Sequence, residues 1–212
     1  MSLLVFGHKN PDTDSICSSL VMTNFKKSLG VDAVACCLGE LRKEAEFVLD
    51  YFGVEAPKLL ESVKEGDLCC LVDHNEYGQS VDGLENATIV EIVDHHKLGG
   101  ITTPAPLSVT LRPVGCTNTI LYYMYKENDV EITKPIAGLM LSAILSDTLI
   151  FRSPTTTEDD IAAGKDLAKI AGVDYEAYGM EMFKAGTSLE GYSIEEIVNM
   201  DFKAFDMERM TT

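Results

Sequence analysis

Leu3-Leu-Val-Phe-Gly-His-Lys-Asn-Pro-Asp-Thr-Asp14 runs from four apolar residues through Gly7 into one imidazole and two carboxylates. Residues 3–6 read as a buried strand. Residues 15–29 read as the helix that follows, with Ile16, Leu20, Phe25 and Leu29 at helical spacing and Gly30 behind them as a C-terminal cap. A buried strand passing through a polar turn into a helix is half of a parallel βαβ unit. The same grammar recurs downstream. Residues 31–38, 68–72 and 89–93 are continuously apolar runs that read as strands. Residues 42–52, 117–126, 136–151, 158–171, 175–184 and 194–200 carry helical patterns. Strands without polar alternation are buried on both faces, so the expected class is α/β: a mostly parallel sheet with helices on both faces and a helix-rich second half.

Chemistry collects where those runs end. His8, Asp12 and Asp14 follow the first strand, Asp73-His74-Asn75 the third and Asp94-His95-His96 the fourth, while Asp147 closes the apolar Leu141-Ser-Ala-Ile-Leu-Ser-Asp147. Ligands of open α/β sheets bind beyond the carboxyl ends of the strands, so these groups can converge on one crevice. Mixed carboxylate and imidazole donors without thiolate suit manganese or magnesium, with zinc or cobalt as alternatives. There are more donors than one ion needs. Two ions about 3.5–4 Å apart could share a bridging carboxylate and activate water for attack on phosphorus without a protein nucleophile. Each residue also has a structural reading. Asp14 serves as a helix N-cap, Asp12 as a turn residue after Pro11, His8 as a satisfied polar group, and Asp147 as a partner of Arg152 or Lys134. Clustering at successive strand ends favours the two-ion reading.

Composition agrees. The 212 residues carry a formal charge of −17, from 34 acidic and 17 basic residues, which repels nucleic acid and anionic membranes. An anionic substrate would be accepted only where bound cations reverse the local field. The six cysteines form no CxxC pair, and Cys36, Cys37, Cys69 and Cys70 lie in strand-like runs, so they read as reduced thiols of a cytoplasmic protein. The Met-Ser-Leu start has no secretory pattern, and no apolar segment is long enough to span a bilayer.

The motifs Gly7-His-Lys-Asn-Pro-Asp-Thr-Asp-Ser-Ile-Cys17, Val72-Asp-His-Asn-Glu76, Val93-Asp-His-His-Lys97, Pro113-Val-Gly-Cys116, Ala137-Gly-Leu-Met-Leu-Ser142 and Lys184-Ala-Gly186 resemble the DHH phosphoesterases. Within these the chain is most similar to family II, manganese-dependent inorganic pyrophosphatases, from Leu3 to about Phe205. The resemblance implies hydrolysis of pyrophosphate to two phosphates by a hydroxide bridging two manganese ions, with Mg²⁺ or Co²⁺ as substitutes. It implies one ion on His8, Asp12 and Asp73 and a second on Asp14, Asp73, His95 and Asp147. Asp94 would orient a histidine, His96 would face the substrate and help the departing phosphate, and Lys203 would bind substrate. A cytoplasmic homodimer joined through an edge strand is implied in the same way.

The expected organisation is a catalytic metal-binding domain over residues 1–186, then a linker and the start of a C-terminal substrate-clamping domain over 187–212. The basic Ser-Arg-Lys-Lys segment of that family's second domain has no counterpart here, so an isolated or truncated catalytic domain is expected. The stretch 58–68 is too short to hold the CBS modules that some relatives insert. The competing functions are another DHH phosphoesterase, such as an exopolyphosphatase or oligonucleotide phosphodiesterase, and a metal-binding fragment with little activity. The absence of tryptophan and the acidic balance argue against nucleic acid as substrate.

Overall fold

The computed structural model describes residues 2–188. The helix expected at 194–200, most of the linker and Lys203 lie outside these residues. Six strands, β1 (Leu3–Lys9), β2 (Ala33–Leu38), β3 (Lys58–Leu59), β4 (Leu68–Val72), β5 (Thr88–Asp94) and β6 (Ser108–Leu111), form one sheet in the order β3-β2-β1-β4-β5-β6. Every pairing is parallel. The order reverses direction between β1 and β4, and the carboxyl ends of these two strands therefore flank the crevice of a doubly wound sheet. The described residues also hold six α-helices: α1 (Thr13–Ser28), α2 (Lys43–Phe52), α3 (Thr117–Glu127), α4 (Lys134–Asp147), α5 (Glu158–Ala171) and α6 (Tyr175–Gly186).

Both faces of the sheet are covered, but by different means. Leu3, Val5, Cys70, Val72 and Val93 point into the larger core, with Ile16 and Val21 of α1, Ile120 of α3 and Leu141 of α4. Their neighbours Phe6, Cys36, Cys69, Leu71 and Ile92 point the other way. They pack under Val63, Val81 and Leu84, beside the 3₁₀ turns Tyr77–Gln79 and Leu84–Asn86. Strand alternation thus divides one apolar run between a helix-covered core and a loop-covered one. All six cysteines are buried and unpaired. Beside β5, an irregularity in its pairing with β4 leaves Glu91 facing Lys26 of α1, with which it forms an ion pair.

The structure departs from the sequence pattern at three places. Lys58–Leu59 and Ser108–Leu111 are strands too short or too exposed to give an apolar run, so the strand expected as third is fourth. The first helix starts at Thr13, with Asp12 as its N-cap accepting from Ser15 N at 3.0 Å, and Asp14 lies in the first turn. The helix expected over 136–151 ends at Asp147. Its apolar pattern continues, but Leu149, Ile150 and Phe151 take left-handed φ values of 51°, 53° and 62°. Thr148 stops the helix: its hydroxyl accepts from Phe151 N, and its carbonyl accepts from Arg152 N and Ser153 N. Hydrophobic spacing carries no trace of such a stop.

Candidate metal centre

The crevice between β1 and β4 collects His8, Asp12, Asp14, Asp73, His95, His96 and Asp147. Asp12 and Asp14 can stand this close to β1 because Gly7 has no side chain: a Cβ there would collide with Ser15 of α1. Asp73 follows β4 with a left-handed φ of 59°, and its N–H donates to Val93 O at 3.0 Å. That turn aims its carboxylate back across the sheet end. Asp147 is delivered by the last residue of α4.

Two imidazoles bracket Asp73. His8 donates from Nδ1 to Lys9 O at 2.7 Å, and His95 from Nδ1 to Val114 O at 3.1 Å. A carbonyl can only accept, so each Nδ1 carries the proton and each Nε2 faces the cluster. His8 Nε2 stands 3.4 Å from both Asp12 Oδ2 and Asp73 Oδ2. His95 Nε2 stands 3.4 Å from Asp73 Oδ1 and 3.9 Å from Asp14 Oδ2. Asp73 Oδ2 is buried without a hydrogen-bond partner. An orphaned carboxylate oxygen among inward-facing imidazole nitrogens fits a divalent cation. Among the described residues, three donor groups have ligand atoms within 4.8 Å of one another: His8–Asp12–Asp73, Asp73–His95–His96 and Asp14–Cys116–Asp147.

The charges are mutually perturbing. Burial, then Asp14, lifts Asp73 to about 6, against the pull of His8 and His95. Burial, then Asp14 and Asp73, pushes Asp147 well above the ordinary carboxylate range. The charged groups acting on Asp147 are carboxylates, in place of the pairing with Arg152 or Lys134 that the sequence allows. Burial alone would lower His8, but Asp12 and Asp73 override it and hold His8 at about 11. His95 is held at about 9 in the same way, chiefly by Asp73. A site that crowds four acids together and strands one of their oxygens is built for positive charge.

Asp94 and His96 adjoin this cluster, with His96 Nδ1 3.7 Å from Asp73 Oδ1. Asp94 is fully buried and accepts from His96 Nδ1 at 2.8 Å, from His96 N at 3.1 Å and from Asn75 Nδ2. Burial would raise Asp94, but the His96 and Asn75 hydrogen bonds hold it at about 2. Asp94 in turn raises His96, whose side chain is 53% exposed. His74, between Asp73 and Asn75, turns away: Nδ1 donates to Val72 O, Nε2 meets Ser80 Oγ, and burial lowers it to about 4.

Several groups that hold this arrangement carried no signal in the sequence. Asp14 accepts from Thr117 N at 2.8 Å, Asn118 Nδ2 at 2.7 Å and Ser18 Oγ at 3.0 Å. Thr117 Oγ1 donates to Asp73 Oδ1 at 3.1 Å. Glu44 accepts from Thr13 Oγ1 and Ser146 Oγ, tying the first turn of α1 to the end of α4. Pro113-Val-Gly-Cys116 belongs to the motifs read above, but nothing in its residue types announces a backbone role.

A parallel sheet with a carboxylate and imidazole crevice at its switch point defines a class of metal-dependent α/β domain, and comparison with known proteins agrees. Residues 2–144 match the DHH family, N-terminal domain, and residues 180–212 match the DHHA2 domain. Curated manganese-dependent inorganic pyrophosphatases of an Exiguobacterium species and of Bacillus cytotoxicus are 55% and 53% identical over 97% of this chain. The chain spans about two thirds of their length, 67% and 66% respectively. A Methanococcus jannaschii structure assigned to the family II inorganic pyrophosphatases superposes with a TM-score of 0.85 at 45% identity, over 96% of this chain and 68% of that one. An exopolyphosphatase-related protein of Bacteroides fragilis shares the fold alone, with a TM-score of 0.65 at 16% identity. The chain belongs to the DHH family and, within it, to the manganese-dependent family II inorganic pyrophosphatases.

Proposed function

We propose that this chain hydrolyses inorganic pyrophosphate to two phosphates at the crevice between β1 and β4. His8, Asp12 and Asp73 hold one manganese ion; Asp14, Asp73, His95 and Asp147 hold the other. When bound, the two ions neutralise phosphoryl charge and acidify water at neutral pH. The residues themselves supply orientation. The Nδ1 bonds of His8 and His95 fix their tautomers, so each Nε2 stays unprotonated once an ion is present. Asp94 favours the protonated form of His96, and the exposed ring offers a hydrogen bond or a proton to the departing phosphate. The observation that carries this reading is Asp73, a buried carboxylate with one unpartnered oxygen between the inward-facing His8 and His95 imidazoles, placed where it would be shared by both ions.

Residues 1–186 act as the metal-binding catalytic domain, and the stretch from 187 leads into a substrate-clamping domain that includes Lys203. The DHHA2 match over 180–212 supports that division. A cytoplasmic location is supported by the six buried free thiols. No helix among the described residues is long and apolar enough to cross a membrane. A homodimer through β6 is supported by its position as the last strand and by exposed Val109 (48%) beside Leu98 (77%).

The test is turnover by the 212-residue chain with Mn²⁺, offered pyrophosphate, a longer polyphosphate and a dinucleotide in parallel. Phosphate release from pyrophosphate above the other two supports the reading. Preference for the dinucleotide or polyphosphate overturns it in favour of another phosphoesterase activity.

A further inference from the structure

We infer that Asp160 of α5, which touches no ligand of the proposed ions, is a positioning residue for the inner of the two proposed sites, that of Asp14, Asp73, His95 and Asp147, acting through residues 114–119. The inference rests on the two-ion reading above. Asp160 is fully buried and accepts four hydrogen bonds. Two come from Thr157, both at 2.7 Å: its N–H, as one half of the capping box of α5, and its Oγ1. The box accounts for an acid at this position but not for its burial. The other two donors come from more than forty residues away: Gly115 N at 2.9 Å and Thr119 Oγ1 at 2.6 Å.

Those two donors bracket the segment that holds the ligands. Between and beside them, Val114 O orients His95, Thr117 N and Asn118 Nδ2 hold Asp14, and Thr117 Oγ1 holds Asp73. Three of the four inner ligands thus lean on a strap that one carboxylate grips at both ends. The grip is close. A Cβ on Gly115 would lie 2.8 Å from Asp160 Oδ2 and 2.9 Å from Thr148 Cγ2, so glycine is required for the strap to reach both α5 and the residue after Asp147. Charge-assisted bonds of this kind are short and directional, and they fix the donors' positions before any ion arrives. Loss of outer-layer partners costs metal sites about 10–100-fold in affinity. Asp160 acts one layer further out, so the lower end of that range is expected.

The experiment is manganese titration calorimetry on the full 212-residue chain and three variants. Thr119→Val keeps the side-chain volume and the capping box but removes one donor to Asp160; Thr119→Ser keeps that donor. Gly115→Ala pushes Asp160 from the other end of the strap and reports the same grip if the valine variant does not fold. The expected result is about tenfold weaker binding at one of two ions in Thr119→Val and Gly115→Ala, with the other ion unchanged and Thr119→Ser within about twofold of wild type. A merely structural role would lower the melting temperature of the metal-free chain without altering the ratio of the two affinities. Unchanged affinities in folded Thr119→Val and Gly115→Ala would overturn the inference, as would equal losses in the valine and serine variants. Failure of the wild-type chain itself to bind two ions would overturn the two-ion reading instead.

Discussion

The two proposed ligand sets share Asp73, and they are held in opposite ways. His8 and Asp12 form the outer group, and their supports are local: Lys9 O for His8, Ser15 N for Asp12. Their side chains are 15% and 41% exposed. Asp14, His95 and Asp147 form the inner group. Asp14 is 1% exposed and takes its supports from Thr117 and Asn118, more than a hundred residues away. The outer group therefore comes from one turn of chain, while the inner group exists only once α1, α3, α4 and β5 have packed. The two sets differ in how far away their supports lie more than in exposure, since His8 and His95 are 15% and 16% exposed and only Asp12 (41%) and Asp14 (1%) differ strongly.

The largest expected effect tests what the groups share. Asp73→Ala should abolish two-ion occupancy and lower pyrophosphate turnover by on the order of 10³-fold or more. Elemental analysis decides it: two manganese ions retained per chain would refute Asp73 as the bridge, and one retained ion would show which group stands alone.

Asp147→Asn probes the inner group through stability. The carboxyl of Asp147 titrates far above an ordinary aspartate because burial, and then Asp14, oppose its charge. An acid raised in the folded state opposes folding increasingly as pH climbs from about 4 toward the folded value. The amide should therefore stabilise the metal-free chain at pH 8 by about 1–2 kcal/mol while weakening the stabilisation that Mn²⁺ confers. Thermal melts with and without the ion would show this as a higher metal-free midpoint and a smaller metal-induced shift. A lower metal-free midpoint would contradict the picture of mutually repelling inner acids.

Asp94→Asn addresses the rim. Asp94 raises His96, so the variant should lower the imidazole toward its usual value, and the protonated fraction at pH 7 should fall. The alkaline limb of kcat should move to lower pH, with a loss of about 10–100-fold at neutral pH. An unchanged limb would remove His96 from proton transfer.

The smallest effect is a proton count. In the metal-free cluster His8 and His95 sit at about 11 and about 9, so both are protonated at pH 7. Ligation requires neutral imidazole and ionised carboxylate, so manganese binding at pH 7 should release about two protons from the imidazoles, together with the proton that burial favours on Asp147, and tighten as pH rises. Calorimetry in buffers of different ionisation enthalpy gives that number. Release of none would place the imidazoles outside the ligand set.

Much of the outer group could be read in the primary structure. An apolar run that ends in His8-Lys-Asn-Pro-Asp12 must bury its first part and expose its last, and the donors then lie at a strand's carboxyl end. The end of α4 could not be read, because Leu149, Ile150 and Phe151 continue an apolar pattern while Thr148 redirects the backbone. Nor could the roles of Asn75, Thr117 and Asn118 be read, since neutral polar residues are as common in loops as at sites.

The order of residues alone determined the parallel α/β class, the hard-donor chemistry and the kinship with DHH enzymes, because strand burial and metal preference are short-range properties of residue type. Tertiary structure alone decided that β1 and β4 stand side by side at the switch point, that Asp73 turns back between two imidazoles, and that Asp160 grips the strap beneath Asp14. Those facts rest on hydrogen bonds and packing between segments forty to a hundred residues apart, and contacts at that range leave no periodic or local mark on the chain.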